Sequence, residues 1–168
     1  MRDNVIAICP GSFDPVTYGH LDIITRAAGM FKKLIVVVAS NSSKNCCFTP
    51  EERVELIKKC ITNLDNVEVV HYDGLLADYA AQVGATAIIK GLRAMSDFEY
   101  EFQMALTNRK LNNEVETVFL TTSAEYMYLS SSLVKEVARL GGDIKEFVPP
   151  CAAQDVVNKF ERNDTHDR

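Results

Sequence analysis

Short, continuously apolar runs alternate along the chain with stretches whose apolar residues recur at helical spacing. Residues 5–9 and 34–39 are apolar throughout and too short for independent helices, so they predict buried strands. Residues 67–72, 87–89 and 117–120 predict three more, and Pro10-Gly11 predicts a turn closing the first. Between them, Leu21, Ile24, Ala27 and Ala28 predict a helix from about His20 to Phe31. Thr49-Pro50-Glu51-Glu52 predicts another by local chemistry: Thr49 as N-cap, Pro50 at the first helical position and Glu52 closing a capping box. Its apolar side is Val54, Leu56, Ile57 and Ile61. Further helices are predicted over residues 75–83 and 97–111. Another follows Ser130-Ser131-Ser132 and stops at Gly141-Gly142, and a last one runs from Pro149-Pro150 to about Phe160. Residues 161–168 are polar and are expected to fray. The helix over 97–111 carries Phe98, Phe102, Ala105 and Leu106 on one face and Tyr100, Met104 and Leu111 on another. Two apolar faces imply contacts on both sides, one of them with another subunit.

Strands that are apolar throughout and alternate with helices predict a parallel sheet covered on both faces. With right-handed crossovers, the fold class is α/β, a doubly wound five-stranded parallel sheet, whose ligands lie beyond the carboxyl ends of the strands. The 168 residues form one domain, 1–168, at roughly 150 residues per domain. The longest apolar run, residues 34–39, is far short of the ~20 that cross a bilayer. Residues 1–14 lack the pattern of a signal peptide, so the chain is expected in the cytoplasm, without a membrane partner.

Net charge changes the picture more than composition does. With 23 acids against 18 bases and a net charge of −5, the chain lacks the basic balance of a general nucleic-acid binder. A small basic pocket for a phosphorylated metabolite remains compatible. The five cysteines, Cys9, Cys46, Cys47, Cys60 and Cys151, are odd in number and contain no C-x-x-C, so neither structural zinc nor a disulfide is expected.

Candidate chemistry falls on the loops after the strands. Gly11-Ser12-Phe13-Asp14-Pro15-Val16-Thr17-Tyr18-Gly19-His20 joins the first strand to the first helix. Its glycines allow close backbone approach, and the helix start offers unpaired N–H groups to an anion. His20 sits at that start, where the dipole disfavours its cation while a ring N–H can still donate. The string is neither G-x-G-x-x-G nor the Walker pattern. The Ser130 to Ser132 cluster reads as an ordinary cap or as a phosphate cradle. Lys90-Gly91-Leu92-Arg93 sets two cations about a glycine at the end of the fourth strand, and Lys44 lies in the loop after the second, where most lysines are simply solvated.

The string from Gly11 to His20 resembles the G-x-F-D-P-x-x-x-G-H signature of the nucleotidylyltransferase superfamily, and the serine cluster resembles its second signature. Lys90 to Ala94 with Asp97-Phe98-Glu99-Tyr100-Glu101, and Ser131 to Glu136, are similar to the phosphopantetheine adenylyltransferase family. The resemblance implies a Rossmann-like nucleotidyltransferase fold, ATP and 4′-phosphopantetheine as partners, magnesium arriving with ATP rather than on protein ligands, and a hexamer. It implies catalytic roles for His20, Lys44 and Arg93. It implies acceptor contacts from Ser12, Lys44, Leu76 and Lys90. It places ATP against Ser12, Phe13, His20, Gly91, Leu92, Arg93, Glu101, Tyr126, Met127, Tyr128, Leu129, Ser130, Ser131 and Ser132. Three positions are informative. Lys90 replaces the family's usual Arg, and Tyr126 stands where some members carry Trp. Thr17 stands where cytidylyltransferases more often have a second His.

The implied reaction needs no protein nucleophile, because the acceptor phosphate is already anionic. Alignment and charge neutralisation suffice. No H-E-x-x-H or G-x-S-x-G string points elsewhere. Two other readings stay open: transfer to nicotinate mononucleotide or a polyol phosphate, and a non-catalytic nucleotide-binding module on the same fold.

Overall fold

The computed structural model describes residues 5–39, 46–93 and 95–164. Five strands, β1 (Ile6–Gly11), β2 (Lys33–Ala39), β3 (Val67–Tyr72), β4 (Ala87–Leu92) and β5 (Glu116–Thr121), form one parallel sheet in the order β3-β2-β1-β4-β5. Helices α1 (Tyr18–Met30), α2 (Pro50–Cys60), α3 (Leu76–Val83), α4 (Met95–Leu111), α5 (Ser131–Arg139) and α6 (Pro150–Asp164) flank it. The doubly wound expectation therefore holds. Two buried clusters lie on opposite faces: Ala7, Val36, Val38 and Ile89 belong to one, Ile8, Ile35, Val37 and Ile88 to the other. Consecutive strand residues point to opposite faces, so each central strand must be apolar at every position. The edge strands differ from the expectation: β3 and β5 are only partly buried, and β3 carries Glu68 and His71. No helix among the described residues is long and apolar enough to cross a membrane.

The order of strands reverses between β1 and β4, and there the sheet opens. β1 follows β2 in register to Gly11, but pairs with β4 only at Ala7 and Ile8. Pro10 and Gly11 are thus not the predicted turn but the end of the strand, beyond the last β1–β4 pair. Past that point Pro10, which has no N–H, no longer lies between two ladders. The fourth strand also outruns its prediction. Lys90, Gly91 and Leu92 stay paired with Phe119, Leu120 and Thr121 of β5 after β1 has left, so one flank of these residues faces a cleft.

Helix ends follow local chemistry. Thr49 Oγ1 accepts from the Glu52 N–H at 3.2 Å and Glu52 Oε2 from the Thr49 N–H at 2.8 Å, the predicted capping box. Gly141, at φ 73, lets the chain leave α5 in the left-handed region. The last helix continues through residues 161–164, which were expected to fray; nothing there is Gly or Pro, and Glu161 and Arg162 favour the helical state.

The expectation about cysteines needs correction: Cys60 and Cys151 form a disulfide, with Cα atoms 5.6 Å apart and 91 residues of separation. The packing explains it. α2 and α6 run antiparallel, tied by Lys159 Nζ to Glu52 Oε2 at 2.8 Å and Lys59 Nζ to Asp155 Oδ2 at 2.7 Å, which brings the end of α2 to the start of α6. Cys9, Cys46 and Cys47 are free.

Candidate active site

The open end of the sheet holds a cleft of about 990 Å³. Its walls bring together most of the residues singled out in the sequence: Ser12, Phe13, His20, Leu76, Lys90, Gly91, Arg93, Glu101, Leu129, Ser130, Ser131 and Ser132. Leu92, Tyr126, Met127 and Tyr128 are not among its walls. Tyr126 stacks on Tyr18 with ring centroids 5.8 Å apart, Tyr128 meets the edge of Phe147, and Met127 and Tyr128 are exposed. Lys44 lies outside the described residues.

His20 is held by the residue that caps its own helix. Thr17, the N-cap of α1, donates its backbone N–H to His20 Nδ1 at 3.0 Å, and its hydroxyl lies 3.1 Å from the same nitrogen. A backbone N–H can only donate, so Nδ1 is unprotonated and the neutral ring carries its hydrogen on Nε2. Burial, reinforced by the Arg93 charge, pushes its pKa down to about 4, so the ring is neutral at pH 7. The Phe13 ring meets it edge-on, with centroids 5.0 Å apart, and fixes the orientation further. The result is a neutral Nε2–H donor at a helix N-terminus, suited to an anionic oxygen.

The loop bearing His20 is braced from several sides. Asp14, 3% exposed, accepts from the Phe48 N–H at 2.9 Å, the Cys47 N–H at 3.0 Å and Lys135 Nζ at 2.7 Å. The Ser131 hydroxyl donates to the Pro15 carbonyl at 2.8 Å, and the Tyr18 N–H to the Phe147 carbonyl at 3.1 Å. The serine cluster therefore divides its labour: Ser130 Oγ caps α5 by accepting from Leu133 N–H at 3.1 Å, Ser131 holds the loop, and exposed Ser132 faces the cleft. The first-turn amides of Ser131 and Ser132 have no partner within the helix and add the positive end of α5's dipole.

On the opposite wall, Lys90 Nζ lies 3.0 Å from Glu101 Oε2. That oxygen is buried and makes no well-aligned hydrogen bond, so the contact is an ion pair only. Arg93 Nη1 donates to the Leu129 carbonyl at 2.9 Å, aligning β4's end with the approach to α5. Gly91 is packed so closely that a Cβ there would lie 2.9 Å from Ile23 Cγ1. Cys9 also lines the cleft; burial pushes its thiol up to about 12 despite the nearby Lys90 charge, so it is no thiolate.

Sequence reasoning gave no role to Asp14, Arg53, Lys135 or Asn108. Asp14 and Lys135 stand inside the strings quoted for the resemblance, and their pairing across 121 residues is tertiary. Asn108 is 5% exposed and lines the cleft beside Tyr100 and Met104; the helical face read as apolar masked it.

These features define a nucleotidyltransferase-type cleft, and a family profile described as cytidylyltransferase-like matches residues 8–137. A phosphopantetheine adenylyltransferase of Caldanaerobacter subterraneus subsp. tengcongensis is 59% identical over 158 residues, covering 94% of this chain and 99% of that one. Another, of Alkaliphilus metalliredigens, is 58% identical over 154 residues, covering 92% and 98%. A third, of Lachnoclostridium phytofermentans, is 54% identical over 155 residues, covering 92% and 95%. The chain belongs to the phosphopantetheine adenylyltransferase family.

Proposed function

We propose that the chain transfers the adenylyl group of ATP to 4′-phosphopantetheine, giving dephospho-coenzyme A and pyrophosphate. The observation that carries this reading is the neutral His20 ring, locked through Nδ1 so that its Nε2–H serves a cleft lined by Lys90, Arg93 and Lys135. An acceptor phosphate oxygen attacks the α-phosphorus; the new P–O bond forms as the bond to the β-phosphate oxygen breaks. The negative charge that builds on the transferring phosphoryl and on departing pyrophosphate meets a hydrogen-bond donor, cations and two helix N-termini. Pre-set donors of this kind cost no reorganisation during reaction. The protonated Cys9 thiol speaks against a covalent enzyme intermediate on the one cysteine buried in the cleft wall.

Magnesium would enter with ATP and would offset the charge of its phosphates. Asp14 and Glu101, the carboxylates of the cleft wall, already face Lys135 and Lys90, which supports few or no protein ligands to the ion. The family resemblance assigns Lys44, outside the described residues, to the acceptor as well. The enzyme works in the cytoplasm as a hexamer; the exposed Phe102, Leu106 and Leu111 on α4 favour burial against another copy.

The test is incubation with ATP, magnesium and a panel of phosphorylated acceptors. Pyrophosphate and dephospho-coenzyme A should appear in equal amounts with 4′-phosphopantetheine. A better rate with nicotinate mononucleotide or glycerol 3-phosphate refutes the acceptor, and no pyrophosphate with any acceptor favours a binding module. Size-exclusion chromatography with light scattering reads the oligomer.

A further inference from the structure

Arg53 of α2 is charged, yet only 3% of it is exposed. A buried guanidinium ordinarily needs a carboxylate or full hydrogen bonding to offset its lost hydration. Its partners are carbonyls: Nη1 donates to Ser12 O at 2.8 Å and Nε to Thr49 O at 3.3 Å. Among the described residues no carboxylate lies within ion-pair distance of it. Arg53 does not line the cleft, whereas Ser12 and Phe13 do. In a trans peptide the Ser12 C=O and the Phe13 N–H point in opposite directions. Gripping the carbonyl from behind therefore turns the Phe13 amide toward the cleft. Phe13 is also a non-glycine residue in the left-handed region, at φ 48, a state that persists only where its surroundings fix it. Backbone turned in this way forms concave groups of N–H donors that bind anions.

We propose that Arg53 is a positioning residue, holding the Ser12–Phe13 peptide with its amide toward the cleft. Its charge stands behind that peptide, and the phosphates of bound ATP supply the counter-charge. This rests on the ATP reading above and adds a residue remote from the substrates to it.

The test compares Arg53→Met, Arg53→Lys and Arg53→Gln in the full chain with Lys59→Met, which removes an exposed tie between α2 and α6. Calorimetry reads the dissociation constant of magnesium ATP without any acceptor, and steady-state kinetics read kcat and both KM values. Arg53→Met should weaken ATP at least tenfold and lower kcat, with the phosphopantetheine KM within threefold. Arg53→Lys should recover most of the ATP affinity, and Lys59→Met should leave it unchanged. If Arg53→Met does not fold, Arg53→Gln, which keeps a donor without the charge, is read in its place. A folded variant that lacks the charge and binds ATP within twofold of wild type overturns the proposal, as does a loss that Arg53→Lys does not relieve. If wild type binds ATP but does not adenylylate phosphopantetheine, the acceptor reading fails while the ATP constants still judge Arg53. If wild type does not bind ATP, both fail.

Discussion

On and behind the wall built from the β1–α1 loop and α5, charged groups are sunk into the protein: Asp14 and Arg53 each keep 3% exposure, Asp14 is tied to Cys47, Phe48 and Lys135, and Arg53 of α2 reaches Ser12. On the wall built from β4 and α4, the Lys90 and Glu101 side chains each keep 20% exposure and meet in one misaligned ion pair. Tyr100, Phe102 and Leu106 beside them are exposed. Buried, hydrogen-bonded groups are held in one geometry by the same low-dielectric surroundings that make their loss costly. A pair that keeps some exposure and is poorly aligned exchanges partners with water and ligands more readily. The first wall is thus pre-organised, as a site for transferring phosphoryl groups requires. The second wall is the more adjustable of the two. On the proposed function, perturbing the first should damage turnover, and perturbing Lys90 on the second should damage acceptor binding.

The largest effect is expected at His20. In the proposed mechanism its Nε2–H matters most as charge grows on the transferring phosphoryl, so His20→Ala should lower kcat by roughly 10²–10³, as loss of an oxyanion donor does. ATP affinity should change much less. A kcat within a few-fold of wild type would remove His20 from the mechanism and the contrast between the walls with it.

Lys90 probes the second wall. Lys90→Ala should raise the KM for phosphopantetheine about tenfold or more, since a charge-assisted hydrogen bond contributes about 1.5–3 kcal/mol. The ATP KM should shift far less. Lys90→Arg restores the family's usual residue and two parallel donors, so it should stay active. Both KM values within twofold in Lys90→Ala would make this lysine only Glu101's partner.

The pH dependence separates a neutral from a cationic histidine. An ordinary imidazole would gain most of its charge between pH 7 and pH 5.5. With its folded-state pKa down at about 4, His20 stays neutral across that span. In the free enzyme its ring signals in nuclear magnetic resonance should stay those of the Nε2–H tautomer across that span. Stability has a defined sign. Below the unfolded value of about 6.5 the unfolded chain takes a proton that the folded chain refuses. This group's contribution is therefore fully present above 6.5, lost as pH falls toward 4, and constant below. ATP bound beside the ring should raise its pKa, because a nearby anion favours the cation. Titration near 6.5 in the free enzyme would contradict the buried, neutral ring.

What could be read without coordinates was what depends on near neighbours in sequence. The α2 capping box lies within four residues and forms as expected, and β3 has its expected bounds, Val67–Tyr72, though not the expected burial. The ten-residue string through His20 marked the site because its spacing is local. Arg53 was opaque for the opposite reason. It sits on a polar helix whose cap already accounts for its neighbours, and only tertiary packing buries it against Ser12, 41 residues away. The Cys60–Cys151 bond was hidden likewise: it needs α2 and α6 antiparallel, and no spacing rule encodes that. β4 outruns its apolar run, residues 87–89, because pairing with β5 alone keeps Lys90, Gly91 and Leu92 extended.

The smallest effect is expected at the free thiols nearest the cleft. Cys46 is exposed and lines the cleft, and Cys47 is half-buried beside Asp14. A thiol there looks like a nucleophile in waiting, yet burial pushes the Cys47 pKa up, and the Lys135 charge acts against that shift without reversing it. A protonated thiol attacks poorly. What the first wall takes from Cys47 is its backbone N–H, donated to Asp14 Oδ2 at 3.0 Å, and any residue except proline supplies that. Serine keeps the size and polarity of the side chain. Cys46→Ser with Cys47→Ser should therefore leave kcat and both KM values within a few-fold and make turnover indifferent to thiol-alkylating reagents aimed at this loop. A folded double variant that has lost turnover would mean that the chemistry runs through a sulfur after all, and that the first wall does more than hold its backbone still.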